Sequence, residues 1–238
     1  MSGEAEFLIG IVAEGITDHV VLAAILEHIV PHPVRTLSLQ PEQSPCGDHG
    51  VGGAGWKGVR GWCRKQAAQV GGIEAFMSGS FGLPLDLLVV HLDADVAADP
   101  ALIDDPTDPL CGTLIALPCP PASDTTTALA AVARAWLAAP DSAPVVVTVP
   151  AQATDAWILV AHFPDWEIDL PCVECAPEPD VLLTREPFRR LRTKDGKPKK
   201  PARRYRELAP TVVARWDTVR AACGEAQRFH EAVERLLV

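Results

Sequence analysis

Residues 85–96 read LDLLVVHLDADV. Leu85, Leu87, Leu88, Val89 and Val90 make a short, nearly continuous apolar run, which fits a strand buried on both faces, the kind found in parallel sheets. In open α/β sheets, ligands collect just beyond the carboxyl ends of such strands, and Asp93 and Asp95 stand at that end. Two carboxylates one residue apart at the lip of a buried strand are costly unless something neutralises them. A hard divalent cation does so, and Mg²⁺ takes one or two carboxylates plus substrate phosphates. The competing local reading has Asp93 open a turn and Asp95 cap the following helix. His91, inside the strand, reads as a hydrogen-bonded core residue.

On either side of this run the chain alternates strand and helix. Residues 6–13, EFLIGIVA, read as a buried first strand, followed by Glu14-Gly15 and by a helix over 18–29 that Pro31 stops. Residues 34–39 read as a second strand. Residues 46–58, CGDHGVGGAGWKG, form a glycine-rich loop without the Gly-Lys-Ser/Thr ending of a Walker A motif, and a helix is expected over 59–70. An acidic, proline-bearing loop over 97–109, a short strand or edge segment over 112–117, a helix over 124–138, a strand over 144–149 and a helix over 155–162 complete the alternation. This order predicts an α/β fold with a mainly parallel sheet flanked by helices. It covers a first unit over 1–163. Beyond Pro164 the pattern becomes proline-spaced, then basic, then helical over about 202–208, 211–223 and 225–237, so 164–238 is expected to be a basic loop and a helical annex.

The chain has 238 residues, 48% of them hydrophobic and 22% charged, enough to bury a sizeable core. It contains no run of the ~20 apolar residues that cross a bilayer, and its acidic N-terminus does not read as a signal peptide. Seven cysteines in such a chain point to a reducing cytoplasm rather than a disulfide framework. The net charge of −10 is unevenly spread: residues 185–206 hold eleven Lys/Arg and two acids, +9, leaving −19 on the remainder. Such asymmetry points to a polyanion-binding segment. Lys197, Lys199, Lys200, Arg203 and Arg204 are its expected nucleic-acid contacts.

Three acidic groups fall at predicted strand ends: Glu14 with Asp18 one turn on, Asp93 with Asp95, and Asp155. Strands of a parallel sheet end on the same side, so these groups can converge although distant in sequence. The order EG-x-T-D, then D-x-D, then an acid followed by Ala-Trp, resembles the Toprim domain of topoisomerases, bacterial primases, OLD-type nucleases and maturation ribonucleases. The likeness spans about residues 6–163 and is nearest to compact, single-domain bacterial Toprim proteins. It implies that Glu14 is the acid/base, that Asp93 and Asp95 bind the metal, that Asp18 helps hold a second metal, and that Asp155 stands where relatives more often have Glu. Lys57 lies in the glycine loop, where relatives also carry a lysine, and would meet a phosphate. The resemblance implies a Mg²⁺ (or Mn²⁺) dependent nuclease acting on nucleic acid, with DNA the expected substrate. Since several relatives are encoded near phage-defence genes, it also implies a role there beside a partner protein encoded nearby.

Tyr205 is the only tyrosine and sits in the basic tail, where it reads as a stacking or packing residue rather than a topoisomerase nucleophile. Primases need further domains. The alternatives are a Toprim-fold sensor subunit that binds metal and nucleic acid without turnover, and a nucleotide-sugar glycosyltransferase, which also uses a D-x-D but leaves Glu14 and Asp155 unexplained. An aspartyl-phosphate phosphatase would carry its D-x-D on the first strand. Cys172 and Cys175 with Cys46 and His49 have the composition of a Cys₃His zinc site, but neither half has a knuckle pattern, and four unrelated loop residues is the preferred reading. Trp56, in the glycine loop, is placed to stack on a base.

Overall fold

The computed structural model describes residues 6–41, 54–80, 82–103, 106, 119–163, 173–184, 191–195 and 198–238. Four strands, β1 (Phe7–Val12), β2 (Val34–Gln40), β3 (Leu87–His91) and β4 (Val145–Thr148), form one all-parallel sheet in the order β2-β1-β3-β4. Ile9 lies opposite Leu87, Val12 opposite Val90, and Val90 opposite Val147. The helices are α1 (Ile16–Ile29), α2 (Gly55–Ala67), α3 (Gly72–Met77), α4 (Pro100–Ile103), α5 (Ala122–Leu137), α6 (Asp155–His162), α7 (Pro179–Leu182), α8 (Ala202–Ala214), α9 (Trp216–Ala222) and α10 (Gly224–Leu237).

The sheet is buried on both sides, as its apolar strands require. Side chains alternate across it. Ile9, Ile11, Leu87, Val89 and Val146 enter a core with α1, α6 and α8–α10, whereas Val12, Leu88, Val90, Leu92 and Val145 enter a second core with α2, α3 and α5. The C-terminal helices bury their apolar faces in the first of these cores. Trp157 of α6 meets Trp216 edge-on at 5.5 Å and stacks on Phe229 at 6.1 Å.

Three local readings differ from the sequence expectation. The helix expected from residue 59 already begins at Gly55, because Trp56 and Val59 anchor its first turn in the second core. Trp56 is therefore buried rather than presented to a base; it stacks on Trp136 and donates its indole N–H to Asp99 at 2.8 Å. The six-residue α3 was not expected; its two buried residues, Ile73 and Met77, are too few to show a period in the sequence. The expected segment over 112–117 lies outside the described residues.

Candidate active site

The chain passes from β1 to β2 on one side of β1, while β3 pairs with its other side. The strand order reverses there, and the crevice at the carboxyl ends of β1 and β3 is the place where such sheets receive ligands. Glu14 follows β1 and Asp93 follows β3. The Asp93 backbone N–H donates to Glu14 Oε1 at 2.8 Å. Asp93 Oδ1 accepts the Thr154 backbone N–H at 3.1 Å, which ties the start of α6 to the same point.

His91 stands two residues before Asp93, on the face of the sheet covered by α1 and α6. Its Nε2 lies 2.8 Å from Thr154 Oγ1 and 3.3 Å from Asp93 Oδ1. Asp18 is buried in the first turn of α1. A Cβ on Gly15 would approach Asp18 Oδ2 to 3.0 Å, so this glycine leaves room for the carboxylate. Potential ligand atoms of Asp18, His91 and Asp93 all lie within 4.8 Å of one another.

Crowding of acids out of water dominates the electrostatics. Burial, and then the Asp93 charge, push Glu14 up to about 8 and Asp18 up to about 7. Burial works against the charge on His91, but the Asp93 hydrogen bond and the neighbouring carboxylates outweigh it and hold the imidazole at about 9. His91 Nδ1 is buried and has no hydrogen-bond partner among the described residues. Carboxylates that retain protons near neutrality, beside an imidazole with an unsatisfied nitrogen, are the donor set that a divalent cation would relieve. Carboxylate oxygens suit Mg²⁺ and Mn²⁺, and an imidazole is a common ligand of transition metals.

The remaining expected residues are distributed around this centre. Asp95 is exposed at the rim; partial desolvation and the Asp93 charge raise its carboxyl to about 6, with solvent screening both effects. Asp155, at the start of α6, is buried with both oxygens engaged: Oδ2 by Lys200 Nζ at 2.7 Å and Oδ1 by the Tyr205 hydroxyl at 2.6 Å. Burial raises its pKa, and Lys200 opposes the rise. Asp155 is thus held in an internal network and not presented as an open ligand. Lys57 is exposed on α2, 5.4 Å above the Trp56 ring.

The basic tail divides in two. Lys197 and residues 185–190 lie outside the described residues. Lys199 is exposed, its N–H bonded to the Leu191 carbonyl. Lys200 also reaches Asp180 at 3.5 Å, and Arg203 and Arg204 pair with Glu207. Three of the five expected nucleic-acid contacts, Lys200, Arg203 and Arg204, thus have carboxylate partners within the protein, on α6, α7 and α8. Tyr205 is buried, as a packing residue would be, and its hydroxyl serves Asp155.

Cys175 forms a disulfide with Cys119, which corrects the expectation that every cysteine is reduced and removes Cys175 from any zinc site. The fold brings the two Cα atoms to 5.6 Å, within disulfide reach, although 56 positions separate them in sequence. Cys46, His49 and Cys172 lie outside the described residues. No described helix is long and apolar enough to cross a membrane.

His91 is the residue that sequence reasoning placed in the core and left out of the site. The available signal was H-x-D: alternate residues at a strand end share a side. Lys200 and Tyr205 gave no such signal toward Asp155. No family model, curated protein or solved structure matches the chain.

Proposed function

We propose that the chain is a Toprim-type, cation-dependent phosphodiesterase that hydrolyses nucleic acid. The observation that carries this reading is the meeting of Glu14, Asp18, His91 and Asp93 at the carboxyl ends of two adjacent parallel strands. Asp18, His91 and Asp93 would hold the cation, with Asp95 at the rim. A divalent cation bound there supplies charge neutralisation at the scissile phosphate and a more acidic water.

The chain's own residues supply the proton chemistry and the positioning. Glu14 Oε1 is fixed by the Asp93 N–H, which leaves Oε2 as the proton-carrying oxygen. A carboxyl whose pKa lies near the working pH can take a proton from an attacking water or give one to a leaving oxygen. Thr154 orients both partners, donating its N–H to Asp93 and contacting His91 through its hydroxyl. Lys200 and Tyr205 hold Asp155, which opens α6, and so fix the helix that carries Thr154 at its start.

The test is cleavage of labelled single- and double-stranded DNA and RNA by the purified protein with Mn²⁺ or Mg²⁺, against an EDTA control. Cation-dependent cleavage supports the reading. Cation binding with no cleavage of any of these substrates favours the sensor reading, and hydrolysis of a nucleotide sugar favours the glycosyltransferase.

A further inference from the structure

We propose that Lys200 occupies the place of a second cation, so that the crevice takes one divalent ion per chain. The proposal rests on the cation-dependent reading above and adds to it the number of ions and the residue that sets that number. Asp18, His91 and Asp93 offer ligand atoms within 4.8 Å of one another, close enough to share one ion. Among the described residues they are the only three such donors that close together. Asp18 therefore belongs with the same ion as Asp93.

Asp155 is the next carboxylate toward which a second ion would turn. It opens α6 directly after Thr154, whose backbone N–H bonds Asp93. Neither of its oxygens is open, because Lys200 Nζ lies 2.7 Å from Oδ2 and the Tyr205 hydroxyl donates to Oδ1 at 2.6 Å. The same ammonium stands 3.5 Å from Asp180 Oδ2 on α7. It thus sits between two carboxylates, as a bound cation would. Its charge and those of Asp18, Asp93 and Asp95 also act on one another around the crevice.

The backbone holds Lys200 there from both sides. Before it, the Lys199 N–H donates to the Leu191 carbonyl at 2.6 Å. After it, Pro201 leads into α8, whose Leu208 and Val212 are buried in the core shared with α1 and α6. A buried carboxylate needs a paired charge, and Lys200 supplies one permanently to Asp155. A second dication must displace the ammonium to reach the same oxygens. The Lys200 side chain is 37% exposed, so solvent ions have access to the place it holds.

The test counts Mn²⁺ ions per chain on the full-length protein without nucleic acid, by calorimetric titration and by paramagnetic resonance of the free ion. The wild type is expected to bind one. Lys200→Arg keeps the charge and should also bind one. Lys200→Met frees Asp155 Oδ2 beside Asp180 and should bind two, the second more weakly because carboxylates alone, without an imidazole, hold it. Combining Lys200→Met with Asp155→Asn should return the count to one. Circular dichroism checks that each variant is folded. Lys200→Gln, which keeps a donor toward Asp155 without the charge, should also bind two, and it carries the test if Lys200→Met does not fold. Two ions in the wild type, or no more than one in the folded uncharged variants, would overturn the lysine's place while leaving the cation reading standing. Wild-type protein that binds no Mn²⁺ would overturn both.

Discussion

The Asp93 backbone N–H donates to Glu14 Oε1 at 2.8 Å, fastening together the ends of two neighbouring strands across 79 positions of sequence. The bond fixes one oxygen of Glu14 and brings its charge close to that of Asp93. The pairing of the strands places the two residues side by side, and burial makes their proximity costly. That cost is the physical basis of the site's proton-holding character and of its proposed affinity for a cation.

The pH dependence of stability follows from it. Glu14 rises from 4.5 to about 8, Asp18 from 3.8 to about 7 and His91 from 6.5 to about 9 on folding. In each case the folded state keeps a proton that the unfolded state has released, so stability falls as pH rises through the window between the two values. In EDTA, Tm should decline steadily from about pH 5 to 9 through these three groups. Mn²⁺ should raise Tm more at the alkaline end than at the acid end, because its ligands must be deprotonated. Scanning fluorimetry over this range checks both. A flat EDTA profile would show that the three groups do not interact as described.

Lys200 and Asp155 provide a second test. Lys200→Met leaves a buried carboxylate held by the Tyr205 hydroxyl alone. The loss should fall below the about 3–5 kcal/mol of a fully buried broken pair, because the Lys200 side chain is 37% exposed and partly screened. Adding Asp155→Asn should recover much of it, since the uncompensated charge goes too. Urea melts of the single and double variants measure the effect. A Lys200→Met variant as stable as the wild type would assign Lys200 to ligand contact instead.

Much of the sheet was readable because its determinants are local. The runs that became β1, β3 and β4 are apolar and bounded by turn residues, and their alternation with amphipathic helices fixes a parallel arrangement. Asp93 was legible as a strand-end acid for the same reason, and Glu14 with it. His91 was read as core: its spacing from Asp93 puts the two on one side of the strand, but a histidine within a buried strand looks the same in sequence whether that side meets core or carboxylates. Only the sheet's neighbour α1, bringing Asp18, decides that. The bonds from Lys200 and Tyr205 to Asp155 span 45 and 50 positions. Their partners follow from how α8 packs against α6, so a count of charges in the tail could not separate an internal ion pair from a ligand contact.

The Cys119–Cys175 disulfide closes a loop across a separation of 56 residues. Chain entropy assigns such a closure about 4 kcal/mol, less any strain. Cys119→Ser should therefore lower Tm under oxidising conditions, and a dithiol reductant should lower the wild type toward the same value without affecting the variant. An equal response of both proteins to reductant would show that this pair carries no such stabilisation.

In the proposed reaction Asp93 would hold the cation and Glu14 would move the proton. Calorimetric Mn²⁺ titration and single-turnover cleavage, run side by side on Glu14→Gln and Asp93→Asn, separate these roles. Glu14→Gln keeps an oxygen to accept the Asp93 N–H and should bind Mn²⁺ while losing roughly 10²–10⁴ in rate. Asp93→Asn should lose both cation binding and cleavage. Cleavage at the wild-type rate by Glu14→Gln, or undiminished Mn²⁺ binding by Asp93→Asn, would rule out the role proposed for that residue.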